Sequence, residues 1–270
     1  MESEATWRLA AFLGVLAPLL LAERLIPWGG PRPLGARRWA ANLGLVALGA
    51  VLVRLTLPLA AVGAALWAQR ADAGLLNALD APLWLALPLT VVAFDLLIYL
   101  QHRVFHAVPA LWALHRVHHA DPELDATTGL RFHPLEIWLS MLVKMAAAVA
   151  LGAPPEAVLA FEILLNAASL FEHAAIRLPP ALDRALALVI VTPRLHRIHH
   201  SEREAETNSH YGFCLSIWDR LFGTWRGHWE GELVLGVRDW RAAEEQTLPR
   251  LLAQPFRRRR GQGQASFRPR

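Results

Sequence analysis

The chain has 270 residues, of which 54% are hydrophobic, and its formal net charge at pH 7 is +4. The apolar residues form long blocks separated by short polar stretches, a distribution that favours membrane spans over a soluble domain. The single cysteine, Cys214, excludes an intramolecular disulfide, a thiolate zinc site and a cysteine-ligated iron–sulfur cluster within the chain. The arginines flank apolar blocks and fill the C-terminal stretch, so they indicate a lipid surface and no nucleic-acid partner.

Five apolar blocks predict the membrane-associated helices. Three of them reach the roughly 20 residues that a spanning helix needs, although Pro58 interrupts the second. The last two are shorter and are separated by Pro154 and Pro155, so they predict a helical hairpin whose two ends lie on one side of the bilayer. The long blocks are residues 7–28, 39–67 and 81–100, and the short ones are residues 137–151 and 157–171.

The arginine distribution predicts the orientation of these helices. Arg32, Arg37 and Arg38 lie between the first two blocks, so this loop is expected on the cytoplasmic side. Three crossings and a returning hairpin then place residues 101–136 and 172–270 on that side as well. Every histidine of the chain is therefore expected on the same face of the membrane.

Eight of the twelve histidines occur in three clusters with helical spacing. Residues three or four positions apart share one face of a helix, so each cluster can direct two or three imidazoles at a common point. Such crowded rings would repel one another if they were protonated, whereas metal coordination requires the neutral form. The clusters are His102 and His106; His115, His118 and His119; and His196, His199 and His200.

Eight histidines exceed the four ligands that a single tetrahedral zinc ion accepts. Two metal ions with about four protein nitrogens each fit this number better. Spacing alone leaves iron, zinc, copper and manganese open as the bound metal.

Around these clusters the sequence resembles the fatty acid hydroxylase/sterol desaturase superfamily of membrane di-iron enzymes. The resemblance covers about residues 90–226, roughly half of the chain, and the clusters correspond in order to the three histidine boxes of that family. The similar flanking features are Asp95 and Tyr99 before the first box, residues 127–136, Tyr211-Gly212, and residues 218–224.

The resemblance implies the chemistry and further site residues. The eight box histidines, together with His173, would ligate two iron ions, and O2 would be the co-substrate. The oxidised substrate would be a membrane lipid, sterol-like or fatty-acyl, and the product would be hydroxylated or desaturated. Because the chain has no dinucleotide-binding motif and no cysteine cluster, the electrons would come from a separate reductase, ferredoxin or cytochrome.

Several polar residues are candidates for supporting the ligands from a second layer. An aspartate inside an apolar block, as in the third block, should have a partner because a lone charge there is costly. It can hydrogen-bond a ligand imidazole or cap a buried network. The histidine before Tyr211-Gly212 stands where the family is expected to have asparagine. The candidates are Asp95, Tyr99, His133, Glu136, Glu172, His210 and Asp219.

Together these features predict an all-α fold, an integral-membrane helical bundle with a cytoplasmic helical cap that carries a histidine-ligated di-metal site. The composition, rich in alanine and arginine, indicates a GC-rich bacterial genome, so with the predicted spans the expected location is a bacterial inner membrane. The alternative function is a histidine-rich membrane protein that binds or transports zinc or copper without oxygenase activity. The expected domains are N-terminal transmembrane helices (1–80), a fatty acid hydroxylase-like di-iron catalytic domain (81–240), and a basic, disordered C-terminal tail (241–270).

Overall fold

The computed structural model describes residues 2–29 and 35–257, which contain thirteen α-helices, short 3-10 segments and no extended strand. This agrees with the all-α prediction. The helices are α1 (Glu2–Leu25), α2 (Ala36–Thr56), α3 (Ala60–Arg70), α4 (Leu75–Ala78), α5 (Leu83–Ala107), α6 (Pro109–His119), α7 (Pro134–Leu151), α8 (Pro155–His173), α9 (Pro180–Leu186), α10 (Pro193–His199), α11 (Glu204–Thr207), α12 (Ile217–Leu221) and α13 (Leu248–Ala253).

Four helical segments are long and apolar enough to cross a membrane. Many leucines and valines on α1, α2 and α5 are exposed, for example Leu13, Leu55 and Leu89, as expected for side chains that face lipid. The chain is therefore an integral membrane protein. The four segments are Glu4–Leu25, Ala36–Ala78, Leu83–Ala107 and Pro134–Leu151.

The second apolar block, predicted over residues 39–67 with an interruption at Pro58, forms two consecutive helices. Helix α2 ends at Thr56 and α3 begins at Ala60, whose φ is +46°. Pro58 explains the break, because proline cannot donate the helical hydrogen bond and disfavours helical backbone in the residue before it. Helices α2 and α3 both pack against α7.

Four helices that surround the histidines begin with proline. Helices α6, α7, α8 and α10 each have a proline in the first turn, where the missing N–H costs nothing. The hairpin α7–α8 forms as predicted, and its turn passes through Gly152 with φ +65°. Glycine adopts this left-handed backbone more readily than residues with a Cβ, and a Cβ there would also lie 2.9 Å from the Ala73 carbonyl oxygen.

The end of α1 and the start of α2 lie against the segments that follow the histidine helices. The Glu23 carboxylate accepts hydrogen bonds from the backbone N–H groups of Ala126 and Ala175. The Arg38 guanidinium forms ion pairs with Asp121 and Asp125. The end of α1 and the start of α2, which flank the first loop, therefore lie on the same face of the protein as the histidines, as the sequence predicts. Arg32 lies outside the described residues.

Residues 241–257 are folded, which differs from the disordered tail expected from residue 241 onwards. They form two 3-10 segments and α13, and Leu251 is fully buried against Leu45 of α2 and Val117 of α6. The leucines of α13 follow helical spacing, and burying one such side chain stabilises the fold by about 1.5–3 kcal/mol. Residues 258–270 of the expected tail lie outside the described part of the chain.

Candidate metal centre

Nine buried histidines gather into two groups where α5, α6, α8 and α10 meet. Within each group, the potential ligand atoms all lie within 4.8 Å of one another. The nine are the same residues that the sequence and its family resemblance predict as metal ligands. The first group is His102, His106, His115, His119 and His199, and the second is His118, His173, His196 and His200.

Adjacent histidines in the chain belong to different groups. His118 and His119 are consecutive but face the second and the first group respectively, and His199 and His200 are divided in the same way. Successive residues on a helix point about 100° apart, so one short helix can supply rings to two neighbouring points.

Hydrogen bonds fix the protonation of the rings in the first group. His102 Nδ1 lies 2.9 Å from the Tyr211 carbonyl oxygen, and His115 Nδ1 lies 2.6 Å from a Glu136 carboxylate oxygen. Both oxygens accept, so each Nδ1 carries the proton and each Nε2 presents a lone pair. The two Nε2 atoms nevertheless face each other at 2.9 Å. Two lone pairs at this distance repel, unless a cation lies between them.

The second group has the same arrangement. His173 Nδ1 donates to the Ser169 carbonyl oxygen at 2.6 Å, so its Nε2 is a bare acceptor. This Nε2 lies 3.0 Å from His118 Nε2, 2.9 Å from His196 Nε2 and 3.1 Å from His200 Nε2. Nitrogen ligands about 2.1 Å from one metal ion are separated by about 3 Å when they are adjacent, which agrees with these distances.

Burial keeps the rings in the form that binds metal. Burial lowers the pKa of the His115 imidazole to about 3. It also holds the pKa values of other rings in both groups well below the ordinary value, with the neighbouring histidines lowering them further. These rings are therefore neutral at physiological pH, as ligation requires. The rings affected in this way are His118, His119, His196, His199 and His200.

The donor set fits two transition-metal ions. His106 Nε2 and His199 Nε2 are buried and have no hydrogen-bond partner among the described residues, although buried imidazole nitrogens are normally paired. Five nitrogens in one group and four in the other suit iron, zinc or copper, and no thiolate contributes to either group.

Two of the predicted supporting carboxylates lie beside ligand rings. Glu136 accepts the hydrogen bond from His115 described above, and its second carboxylate oxygen has no partner among the described residues. The fully buried Glu172 has carboxylate oxygens 3.8 Å from His173 Nδ1 and 3.5 Å from His196 Nδ1. Such carboxylates orient imidazole ligands and increase their basicity.

We expect Glu136→Leu to lower metal affinity by roughly 10–100-fold, because the lost hydrogen-bond partner frees the His115 ring to rotate. Glu136→Gln retains an acceptor for His115 Nδ1–H and should recover most of the affinity. Metal content and metal affinity, measured for both variants, check this expectation. Equal loss in the leucine and glutamine variants would contradict a role in orienting His115.

Three other candidate residues do not contact the rings of the first group but stabilise the loop that contains Tyr211. Asp219 accepts hydrogen bonds from the backbone N–H groups of Tyr211 and Gly212 and from the Thr224 hydroxyl. Asp95 accepts from the backbone N–H groups of Cys214 and Leu215 and from the Trp218 indole, so it caps a buried network. The Tyr99 hydroxyl bonds to the Thr224 hydroxyl at 2.8 Å. Through Tyr211, this loop holds His102 in place.

The two remaining candidates lie outside both groups. His133 caps the start of α7, because its Nδ1 accepts from the Leu135 N–H while its Nε2 contacts the Leu252 carbonyl oxygen. His210 contacts the backbone of Arg226 and has φ +51°. Asparagine tolerates this left-handed backbone well, which explains why that residue is the expected one at this position.

The ligand-positioning groups that sequence reasoning missed are mostly backbone carbonyls. Those of Ser169, Ser209 and Tyr211 hold His173, His199 and His102. Any residue type supplies a carbonyl, so the sequence carries no signal for them. Asn208, whose side-chain oxygen lies 3.3 Å from His106 Nδ1, was also missed, although it lies close to the third histidine box.

Comparison with known proteins identifies the family to which the chain belongs. The fatty acid hydroxylase family model matches residues 87–224, just over half of the chain, and this range contains both histidine groups. The chain belongs to the fatty acid hydroxylase family. No solved structure matches the chain significantly.

The family relatives include enzymes that act on lipids. Ornithine lipid hydroxylase OlsE of Rhizobium tropici is 32% identical over 138 residues, which is 51% of this chain and 40% of the relative. Human alkylglycerol monooxygenase is 32% identical over 142 residues, which is 52% of this chain and 30% of that protein. The Xenopus tropicalis alkylglycerol monooxygenase is 32% identical over 139 residues, with 50% and 29% covered. The chain thus spans less than half the length of these curated relatives.

A cavity of about 280 Å³ reaches the first histidine group of this fatty acid hydroxylase family member from inside the helical bundle. His102 and His115 lie at one end, and an ion cluster of Arg8, Lys144 and Glu162 lies at the other. Eight residues of α7 separate Glu136 from Lys144, so the two ends are about 12 Å apart. The walls between them are mostly apolar, with Ile98, Phe105, Leu130, Phe132, Met141 and Leu165 among the lining residues.

Gly129 allows the 3-10 segment Ala126–Leu130 to pack directly against α8. A Cβ at this position would lie 2.6 Å from the Ser169 carbonyl oxygen, which is the group that holds His173. We therefore expect Gly129→Ala to destabilise the protein by about 1–3 kcal/mol through overpacking and to weaken metal binding in the second group.

The matched control is Gly14→Ala in α1, where a Cβ would meet no atom within 4 Å. This change should be neutral or slightly stabilising, because alanine is favoured over glycine inside a helix. Thermal unfolding in detergent and metal content per chain are measured for both variants. Equal behaviour of the two variants would show that the close approach at Gly129 is unimportant.

Proposed function

We propose that this member of the fatty acid hydroxylase family is an O2-dependent, membrane-bound oxygenase that hydroxylates a C–H bond of a lipid at a pair of iron ions. The main support is the pair of buried histidine groups, in which bare nitrogens face one another at 2.9–3.1 Å. The first of these groups lies at the end of a largely apolar cavity. The relatives whose names describe lipid hydroxylation and alkylglycerol monooxygenation favour hydroxylation over desaturation.

The proposed ligands are the five histidines of the first group for one iron and the four of the second group for the other. Two irons held there would supply the activation of O2 and the oxidation of an unactivated C–H bond. In this proposal Glu136 orients His115, the Ser169 carbonyl oxygen orients His173, and Glu172 orients His196. The braced loop around Asp95, Asp219 and Tyr99 keeps the first group in position.

The cavity determines which substrate carbon is oxidised. Its apolar walls exclude water and hold a fatty-acyl or sterol-like hydrocarbon segment beside His102 and His115. Holding a carbon beside the metal centre in this way supplies the proximity that the reaction requires.

The reaction balance requires an electron donor. One oxygen atom of O2 enters the lipid as a hydroxyl group and the other leaves as water, which consumes two electrons and two protons from outside the substrate. The chain has one cysteine and so holds no cysteine-ligated cluster of its own. We propose that an external reductase, ferredoxin or cytochrome supplies the electrons.

The proposed location is a bacterial inner membrane with the histidine groups on the cytoplasmic side. Arg37 lies in the first turn of α2, whose start shares a face with the histidines, and positive charge at the end of a membrane helix favours the cytoplasm. Soluble electron donors are found on that side. The catalytic unit is proposed to be residues 81–240, which contain the family match and both groups.

The decisive experiment is oxygen-isotope labelling. The full chain is purified anaerobically, loaded with iron, placed in vesicles of bacterial lipid, and reduced in the presence of 18O2. We expect lipid products that carry a single 18O atom, detected by mass spectrometry. Two bound irons with no oxidised lipid under any reductant would contradict the oxygenase proposal.

The same preparation also tests the alternative that the protein binds or transports zinc or copper. A protein that stores or transports these metals should release or exchange its metal without oxidising lipid, and iron loading should confer no O2 consumption. Family membership favours the oxygenase. Metal analysis and O2 uptake, measured on one sample, decide between the two functions.

A further inference from the structure

A second concave region lies beside the metal cavity, on the outside of the helical bundle. This groove has a volume of about 550 Å³ and lies between α1, α5 and α8. Val92 of α5 and Leu164 of α8 line it, and these side chains are 44% and 48% exposed. Since α1 and α5 are long and apolar enough to cross a membrane, the mouth of the groove faces the acyl chains of the bilayer.

The groove presents almost no available polar group. The one charged side chain that lines it is Asp95, whose carboxylate already accepts hydrogen bonds from Cys214 N–H, Leu215 N–H and the Trp218 indole. The surface left for a ligand is therefore hydrocarbon. Such an apolar surface can bind an alkyl chain, but it provides no hydrogen-bond partner for a peptide or a charged solute.

Phe213 is the wall that the groove and the metal cavity share. It lines both, and its side chain is only 8% exposed. Its ring centroid lies 5.2 Å from that of His102, in the first histidine group. A hydrocarbon chain that passed from the groove to the metal centre would therefore have to displace this ring.

The backbone on either side of Phe213 is held in place. Asp219 accepts from the N–H groups of Tyr211 and Gly212, and Asp95 accepts from those of Cys214 and Leu215. A Cβ on Gly212 would lie 2.7 Å from the Leu215 carbonyl oxygen, so the loop has little room to move. Opening the wall requires rotation of the Phe213 side chain and no loop rearrangement.

We propose that the groove is the entry site for an alkyl chain of a bilayer lipid and that Phe213 is the gate between this site and the metal cavity. The inference rests on the proposed function and adds the route of the substrate and a residue that determines specificity. A chain that enters sideways leaves its headgroup at the membrane surface, so the substrate class is an intact membrane lipid.

The route is tested first by a readout independent of catalysis. The full chain is reconstituted in vesicles containing phosphatidylcholine with a photoreactive diazirine on one acyl chain, and labelled peptides are mapped by mass spectrometry. We expect labelling of α5 and α8 at the groove, with or without bound iron. Leu164→Trp and Val92→Trp fill the mouth and should abolish this labelling. The control Leu100→Trp places the same ring at an exposed α5 position outside the groove and should leave it unchanged.

The gate is tested with Phe213→Ala and the more conservative Phe213→Leu. Both should extend acyl-chain labelling to the metal cavity at Phe132 and Met141, with the larger gain for alanine. In the iron-loaded protein, the alanine variant should also shift the hydroxylated position along the chain or accept bulkier chains. Metal content and thermal unfolding establish that each variant is folded.

The outcomes separate the inference from the proposed function. Wild-type labelling and oxidation in both tryptophan variants at the mouth would overturn the entry route. Unchanged labelling and products in both Phe213 variants would overturn the gate. Groove labelling that follows these expectations in a protein that oxidises no lipid would retain the binding site and reject the oxygenase.

Discussion

His118→Ala is expected to remove the metal ion of the second histidine group and to abolish lipid oxidation. His118 Nε2 lies 3.0 Å from His173 Nε2, so the change removes one of the four nitrogens that converge there. Metal content should fall from about two ions per chain to about one, since the first group keeps all five of its histidines. Elemental analysis and the 18O2 assay measure both effects.

The matched control is His228→Ala. His228 is exposed and lies outside both groups, so its loss should change neither metal content nor activity. His106→Ala provides the converse test, because it should empty the first group and spare the second. Retention of two ions and of activity in His118→Ala would refute the assignment of this residue as a ligand.

Asp121→Ala is expected to cause the largest loss of stability among changes away from the metal centre. The Asp121 carboxylate is fully buried and contacts two guanidinium groups, 2.8 Å from Arg38 and 3.9 Å from Arg131. Burial alone would raise its pKa, but these cations lower it to about 2, so the carboxylate is ionised. Its removal leaves two buried positive charges without this partner, which costs about 3–5 kcal/mol.

The effect of Asp121→Ala is measured as the unfolding free energy in mild detergent. The control is Glu232→Ala, which removes an exposed carboxylate and should change stability by less than about 0.5 kcal/mol. Because α6 carries three of the proposed ligands and ends two residues before Asp121, we also expect slower metal uptake. A stability equal to that of the control would refute a structural role for this ion cluster.

The sequence predicted which histidines come together but not how they are divided. Helical spacing places His115, His118 and His119 near one face, and this is sufficient to predict a shared site. The division of His118 and His119 between two groups depends on where the histidines of α5, α8 and α10 lie around α6. Those positions are set by long-range packing, for example of Gly129 against Ser169 of α8, which a local pattern does not contain.

The boundaries of the fold were harder to predict than its class. Hydropathy identified the long apolar segments, yet Pro58 divides the second block into two helices that hydropathy alone cannot distinguish from one. The C-terminal stretch was expected to be disordered because arginine dominates its composition. Leu251 and Gln246 nevertheless tie residues 241–257 to the rest of the protein, Leu251 by burial and Gln246 by a hydrogen bond from Arg131.

The division of consecutive histidines between the two groups has a consequence for how the protein acquires its metal. His118 shares its backbone with His119, and His199 shares its backbone with His200, so an ion that orders one ring of each pair also restricts the other. The second ion then binds ligands that have already lost part of their conformational freedom, and it binds more tightly for this reason. Loading with iron should therefore be cooperative, so that chains with a single ion remain scarce throughout a titration.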